Sequence, residues 1–154
     1  MTEYKDTLKC FIKRTNCNLK TIQNLSSNGE PPYEVTQLIN SLLGLVVLPK
    51  EKLFREIPQT AFDDLRADGW PDSFLQPSSR KELPDNLRSL SICLRNGVAH
   101  FRIETTEQGG NISGVTICDM EPKKDSPHWK VHLTLDDLQC VIDRFGEVVK
   151  THHP

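Results

Sequence analysis

Residues 83–100 read LPDNLRSLSICLRNGVAH. Apolar residues recur in this stretch at spacings of three and four, which predicts an amphipathic helix from Pro84, in its first turn, to about Ala99. The side chains expected on its core face are Leu83, Leu87, Leu90, Leu94 and Val98. Ile92 and Ala99 lie on the far side, so the helix is apolar on two faces and is expected to contact something besides its own bundle.

Two more helices are predicted on the N-terminal side of this stretch. Thr2 is suited to cap the first, whose apolar stripe continues until the polar residues 26–29. Pro31 and Pro32 suit the start of the second, which ends before Pro49. The second helix should be the most buried element, because its C-terminal half is apolar almost all round.

The connection from these helices to the stretch at 83–100 is long and rich in helix breakers. A short helix is expected from Glu51 to Glu56, followed by one or two helical turns. The large apolar residues expected to fix the connection by packing are Phe62, Leu65, Trp70 and Phe74. A connection of this length can also serve as a lid over a site, and both interpretations stay open at this point.

After His100 the apolar period changes to two, which predicts strands. Three such segments and a glycine turn indicate a small antiparallel meander, at 101–105, 109–111, 115–118 and 129–133. Thr134 and Asp137 then resemble a capping box that opens a final helix. The expected fold class is therefore mainly α: a single domain over residues 1–154, with four to five helices in a bundle and the β meander inserted before the last helix.

Composition and charge limit the classes of function that this chain can have. The 154 residues carry 19 basic and 21 acidic side chains, a formal charge of −2, which excludes a protein that coats nucleic acid by bulk charge. Five cysteines without a CxxC pair and a polar N-terminal segment indicate reduced thiols and no secretory leader, so a cytoplasmic protein is expected. The longest apolar run, Leu42 to Leu48, is seven residues and too short to span a membrane.

Common site motifs are absent from the sequence, which has no Walker loop, GxGxxG, HExxH or GxSxG. His128 and His132 are four residues apart, but they fall at the start of a predicted strand, where a structural role is expected for them. Cys93 is expected to be a small core or boundary residue on its helix. Neither a cofactor nor a metal ion is expected.

The C-terminal end of the helix at 83–100 is the candidate site. A histidine at a helix C-terminus, such as His100, lies against the negative end of the helix dipole and suits acid and base chemistry near neutral pH. Arg95, about one and a half turns earlier, can present a charged fork to a phosphate. Gly97 costs about 1 kcal/mol relative to alanine inside a helix, which indicates that another backbone or a ligand comes close there. The alternative is that His100 merely ends the helix, Arg95 lies on the surface and Gly97 helps the chain turn.

Arg95, Asn96 and His100 also carry a resemblance. An R-x4-H spacing with a polar residue directly after the arginine, at the end of a late helix in a small helical chain, resembles the motif of the HEPN family. Residues 94–101, LRNGVAHF, look like that family's motif block. Residues 35–43, VTQLINSLL, look like the early helix of one of its small stand-alone branches.

The resemblance implies a helical bundle that dimerises so that both motifs face one cleft, and in many members a metal-independent ribonuclease. His100 would handle the proton of the ribose 2′-hydroxyl or of the leaving 5′-oxygen. Arg95 would hold the phosphate, and Asn96 would orient the partner motif or bond the phosphate. Arg88 and Arg102 are the expected substrate-binding residues, and the product would carry a 2′,3′-cyclic phosphate.

The leading hypothesis is thus an endoribonuclease that cleaves single-stranded RNA as a homodimer in toxin–antitoxin or antiviral defence, with an antitoxin protein as a candidate partner. Two alternatives stay open: a non-catalytic module that binds nucleotide or RNA through the same residues, and a structural dimer whose motif fixes the interface. Arg102 stands where some toxin-type members have a modifiable tyrosine, so neutralisation by modification there is not expected. Between residues 80 and 102 five basic side chains stand against two acidic ones, a local charge of +3.

Overall fold

A computed structural model of the chain describes residues 7–27, 34–46, 57–75, 84–120 and 126–152. These residues form six helices and one antiparallel sheet of three strands in the order β1-β2-β3. The helices are α1 (Thr7–Ser27), α2 (Glu34–Val46), α3 (Phe62–Ala67), α4 (Asp72–Leu75), α5 (Leu87–Ala99) and α6 (Leu135–His152). The strands are β1 (Ile103–Gln108), β2 (Asn111–Met120) and β3 (Pro127–Thr134).

The sheet is a layer of the core, so the expectation of a mainly α fold is wrong and the fold is mixed α/β. The predicted antiparallel meander itself is confirmed. Helix α5 packs on β2, and α6 packs on both β2 and β3. The strand side chains buried in the same cluster as the helices are Val115, Ile117, Trp129, Val131 and Leu133. A period of two in the sequence identifies a strand but does not show which elements pack against it. The sequence pattern therefore could not show that α5 and α6 pack on this sheet.

Helix α5 begins later than the sequence predicted. The Asn86 side chain accepts the backbone N–H of Ser89 at 3.0 Å, and the Ser89 hydroxyl accepts the backbone N–H of Asn86 at 3.2 Å. This reciprocal capping box satisfies two N–H groups and starts the helix at Leu87, so the predicted start at Pro84 is wrong. The predicted core face is confirmed for Leu87, Leu90, Leu94 and Val98, which are buried, and Leu83 lies outside the described residues.

The connection before α5 is fixed by aromatic packing. Leu65, Trp70 and Phe74 are buried, which confirms the packing interpretation for them. The Trp70 ring stacks on Phe74 with centroids 5.6 Å apart, and it meets Phe145 of α6 edge-on at 5.1 Å. Helices α3 and α4 are the helical turns expected here, whereas the helix expected at 51–56 lies outside the described residues.

The start of α6 is the predicted capping box. The Thr134 hydroxyl accepts the N–H of Asp137 at 3.1 Å, and the Asp137 carboxylate accepts the N–H of Thr134 at 3.2 Å. Beyond it α6 buries Leu138, Val141, Ile142 and Phe145.

The N-terminal helices follow the sequence pattern. Helix α1 ends at Ser27, inside the polar run predicted to stop it, and α2 ends at Val46, ahead of the predicted limit at Pro49. Thr2, Pro31 and Pro32 lie outside the described residues. Of the helices described, none has the length and apolar character that a membrane crossing requires.

Candidate functional site

The last turn of α5 closes on two backbone hydrogen bonds. The N–H of Phe101 donates to the carbonyl of Val98 at 3.0 Å. The N–H of Arg102 donates to the carbonyl of Gly97 at 2.8 Å. Together they form the Schellman pattern, with His100 as the C-cap and the following residue in the left-handed conformation. His100 is therefore exposed at the tip of α5, directly where the chain turns toward β1.

Phe101 occupies the position that glycine usually takes in this pattern. Its φ of 51° is positive, and a bulky side chain there is strained because its Cβ crowds the backbone. Burial does not account for the residue, since the side chain is 71% exposed. Phe101 therefore exposes an aromatic ring to solvent beside His100, although its positive φ is unfavourable for a bulky residue.

Gly97 lets α5 approach β2 closely. A Cβ atom at this position would stand 2.6 Å from Cγ2 of Ile117 and 2.8 Å from the carbonyl oxygen of Cys118. Both distances are shorter than real Cβ contacts allow, so any other residue would push the helix off the strand. Another backbone or a ligand was expected close to Gly97, and the structure shows the backbone of β2 there.

Arg95 and Asn96 are joined to β2 by a chain of hydrogen bonds. Nη2 of Arg95 donates to Oδ1 of Asn96 at 2.8 Å, and Nε of Arg95 donates to the same oxygen at 3.3 Å. Nδ2 of Asn96 in turn donates to Oδ2 of Asp119 at 2.9 Å. The amide of Asn96 is thereby fixed at both ends, and it holds the guanidinium of Arg95 in one orientation.

Asp119 is the centre of this cluster, and the sequence analysis missed it. Its side chain is 4% exposed, and Nη1 of Arg102 lies 3.5 Å from Oδ1. Nε2 of His128 lies 3.3 Å from Oδ2. Asp119 lies on β2, beyond residues 80–102, so the local charge of +3 counted along the sequence does not include it. In the fold its carboxylate lies beside Arg102 and offsets part of that positive charge. The sequence signal for Asp119 is the alternation of Val115, Ile117 and Asp119. This spacing places the acidic residue on the same buried face of β2 as the two apolar residues.

Cys93 lies beside the same cluster, with its Sγ 3.9 Å from Nε2 of His128. Burial and the nearby negative charge of Asp119 raise the pKa of the Cys93 thiol to about 12. Asp119 faces the same histidine nitrogen as the thiol does, whereas a Cys-His-Asp nucleophile needs the carboxylate on the opposite nitrogen. The group is therefore not a thiol nucleophile with its base.

Arg88 lies two turns before Arg95 and is engaged elsewhere. Its Nε donates to the carbonyl of Ile57 at 2.8 Å, which ties the connection before α3 to α5. The structure therefore brings Arg95, Asn96 and Arg102 together around Asp119, whereas the Nε contact of Arg88 lies at another point of the fold.

One face of α5 carries the motif and an apolar surface together. Helical spacing places five residues on it: Arg88, Ile92, Arg95, Asn96 and Ala99. Ile92 is 40% exposed and Ala99 is also exposed, which confirms that the second apolar face of this helix is turned away from the core.

A family model described as HEPN pEK499 p136 matches residues 1–154. No curated protein and no solved structure matches the chain.

Proposed function

The chain belongs to the HEPN family, and from this membership we propose that it is a metal-independent endoribonuclease. It cleaves single-stranded RNA at a site formed between two copies of the chain. Its setting is the cytoplasm, in toxin–antitoxin or antiviral defence.

The observation that carries the proposal is the arrangement of Arg95, Asn96 and His100 at the end of α5. The double hydrogen bond to Asn96 orients the guanidinium of Arg95 before any substrate arrives. His100 is the exposed C-cap residue five positions later. A fixed cation and an exposed imidazole at one helix end can supply the charge stabilisation and the proton transfer that accelerate phosphodiester cleavage by an internal hydroxyl.

The reaction uses the substrate's own nucleophile. His100 accepts the proton of the ribose 2′-hydroxyl or delivers one to the leaving 5′-oxygen, and solvent water handles the other of these two protons. The 2′-oxygen bonds to phosphorus, and the bond from phosphorus to the 5′-oxygen breaks. The products are a 2′,3′-cyclic phosphate and a 5′-hydroxyl. Arg95 holds the phosphate and offsets the charge that develops on its oxygens. Acid-base catalysis contributes roughly 10²–10⁴ in rate and a positioned charge donor roughly 10²–10³.

The face of α5 that carries the motif supports the proposed pairing of two copies. Because Ile92 and Ala99 are exposed on the same face as Arg95 and Asn96, a symmetric contact through the two apolar residues brings two motifs to one cleft. A two-fold pairing would also double the local positive charge there. Phosphate binding then draws on Arg102, which is 33% exposed, and on Arg88 farther along the same face.

The test is cleavage of a single-stranded RNA by purified protein, with and without EDTA. Cleavage in both conditions and products ending in a 2′,3′-cyclic phosphate are expected. Arg95→Ala and His100→Ala should each reduce the rate by at least about 100-fold.

Two substitutions away from the motif serve as matched controls. Arg66→Ala removes an exposed arginine paired with Asp63 and Asp72, and His132→Gln removes a strand histidine bonded to Thr116. Both should leave the rate unchanged. Absence of cleavage, or cleavage that survives both motif substitutions, contradicts the proposal; salt-sensitive RNA binding without products would instead favour the non-catalytic binding module.

A further inference from the structure

Three side chains with metal-ligating atoms converge behind the motif. Cys93 on α5, Asp119 on β2 and His128 on β3 place their Sγ, carboxylate and imidazole atoms within 4.8 Å of one another. Cys93 and Asp119 are buried, and the His128 side chain is 20% exposed. We propose that these three residues bind one Zn²⁺ ion, which joins α5 to the sheet.

The separations fit the edges of a zinc tetrahedron. Zinc bonds of about 2.3 Å to sulfur and about 2.0–2.1 Å to nitrogen and oxygen give edges of roughly 3.6 Å between S and N and roughly 3.3 Å between N and O. The observed distances are 3.9 Å from Sγ of Cys93 to Nε2 of His128 and 3.3 Å from that nitrogen to Oδ2 of Asp119. The third edge, from Sγ of Cys93 to the carboxylate of Asp119, is at most 4.8 Å, against roughly 3.6 Å in the tetrahedron, so one ion fits among the three atoms with shifts of up to about 1 Å.

The donor types select the metal. One thiolate, one imidazole and one carboxylate suit zinc, whereas magnesium and calcium need several oxygen ligands. The buried thiol is neutral without metal because it is desolvated and faces the negative charge of Asp119. A divalent cation between the two reverses both effects, since a coordinating thiol loses its proton to the solvent. The fourth position is left to water, in keeping with the 20% exposure of the His128 side chain.

The contacts around Asp119 are those that support a metal ligand. Nδ2 of Asn96 donates to Oδ2 of Asp119, and Arg102 lies beside Oδ1, so the carboxylate keeps its orientation when the ion binds. The proposed ion links α5 to the sheet, and the cleavage chemistry proposed for Arg95 and His100 does not use it. Zinc binding can therefore be measured whether or not the protein cleaves RNA.

The experiment uses the full chain without an affinity tag. Equilibrium dialysis against Zn²⁺ with metal analysis should give one tightly bound zinc per chain. Co²⁺ in its place should show the intense visible bands of tetrahedral coordination and a thiolate-to-cobalt band in the near ultraviolet. Zinc should also raise the Tm by about 5 °C when it is present well above its Kd.

Cys93→Ser and His128→Gln should each weaken zinc binding more than about 100-fold, because losing a direct ligand costs more than losing a residue behind one. Circular dichroism checks that both variants fold, and His128→Gln tests the site if Cys93→Ser does not. Cys118→Ser and His132→Gln are the matched controls on the same sheet and should bind zinc as the unchanged protein does. The double variant with His152→Gln and His153→Gln should still bind one zinc per chain. Loss of the zinc in this variant would contradict the proposed site. The proposal is wrong if the protein binds no stoichiometric zinc, or if binding persists in His128→Gln.

Discussion

The side-chain amide of Asn96 donates a hydrogen bond to Oδ2 of Asp119 at 2.9 Å, and this bond connects the R-x4-H motif on α5 to strand β2. The other end of the same amide holds Arg95 through Oδ1. The orientation of the arginine thus depends on a carboxylate that is distant in the sequence and buried in the fold. The carboxylate of Asp119 accepts hydrogen bonds, whereas the guanidinium of Arg95 only donates them. The Asn96 side chain therefore turns its NH₂ group toward Asp119 and its oxygen toward Arg95, which assigns the two ends of the amide.

Asn96→Asp should destabilise the fold more than Asn96→Ala. The first change sets two carboxylates in contact where a hydrogen bond existed, and the second removes one donor from a buried carboxylate. We expect losses of about 2–3 kcal/mol and about 1–2 kcal/mol in the free energy of unfolding, measured by urea denaturation. Asn18→Asp, at an exposed position on α1, is the control and should change it by less than about 0.5 kcal/mol. Equal losses for the two Asn96 variants would contradict the role given to the amide.

Much of the fold could be predicted from local patterns. The core face of α5, the strands and the capping box at Thr134 follow from spacing that is visible within a few residues. The layer arrangement could not be predicted, because no local pattern shows that Ile117 packs against Gly97. The same limit applies to the candidate site. Arg95, Asn96 and His100 are neighbours in the sequence, whereas the convergence of Cys93, Asp119 and His128 exists only once α5, β2 and β3 are assembled.

Gly97→Ala should destabilise the protein although alanine is the better helix former. The gain in helix propensity is about 1 kcal/mol, but the added methyl would overlap both Ile117 and the carbonyl of Cys118. Overpacking of this kind costs about 1–3 kcal/mol, and relaxation would move the motif end of α5 away from β2. We expect a net loss of stability in urea denaturation and a lower rate of RNA cleavage.

Ile117→Ala provides the control for this clash. Combined with Gly97→Ala it removes the side-chain contact but leaves the carbonyl of Cys118 in place. The cycle of single and double variants should therefore show favourable coupling of about 0.5–1 kcal/mol and incomplete recovery. Full recovery would mean that the backbone contact is unimportant.

Arg88 should affect stability and RNA binding by separable routes. Arg88→Ala loses both the charge and the hydrogen bond to Ile57, and the loss of that bond should cost about 1–2 kcal/mol of stability. Arg88→Lys keeps the charge while losing Nε and its geometry. If Arg88 binds a phosphate, the slope of log K against log salt should fall by about 0.7 for each site in Arg88→Ala and stay unchanged in Arg88→Lys. An unchanged slope in both variants would leave Arg88 with the tethering role alone, and Arg66→Ala provides the baseline.

Phe101→Gly should stabilise the fold and impair function at the same time. The left-handed conformation costs a non-glycine residue roughly 1–2 kcal/mol, and glycine avoids this cost. Glycine loses more chain entropy on folding, which costs about 0.5–1 kcal/mol, so the expected net gain in the free energy of unfolding is about 0.5–1 kcal/mol. An exposed aromatic ring beside His100 is suited to stack on a nucleobase, an interaction worth about 1–3 kcal/mol. RNA binding should therefore weaken about 5- to 150-fold while the Tm rises. Phe101→Leu keeps the strained backbone and loses the ring, so it should impair RNA binding without raising the Tm, whereas unaltered binding in both variants would remove Phe101 from the substrate site.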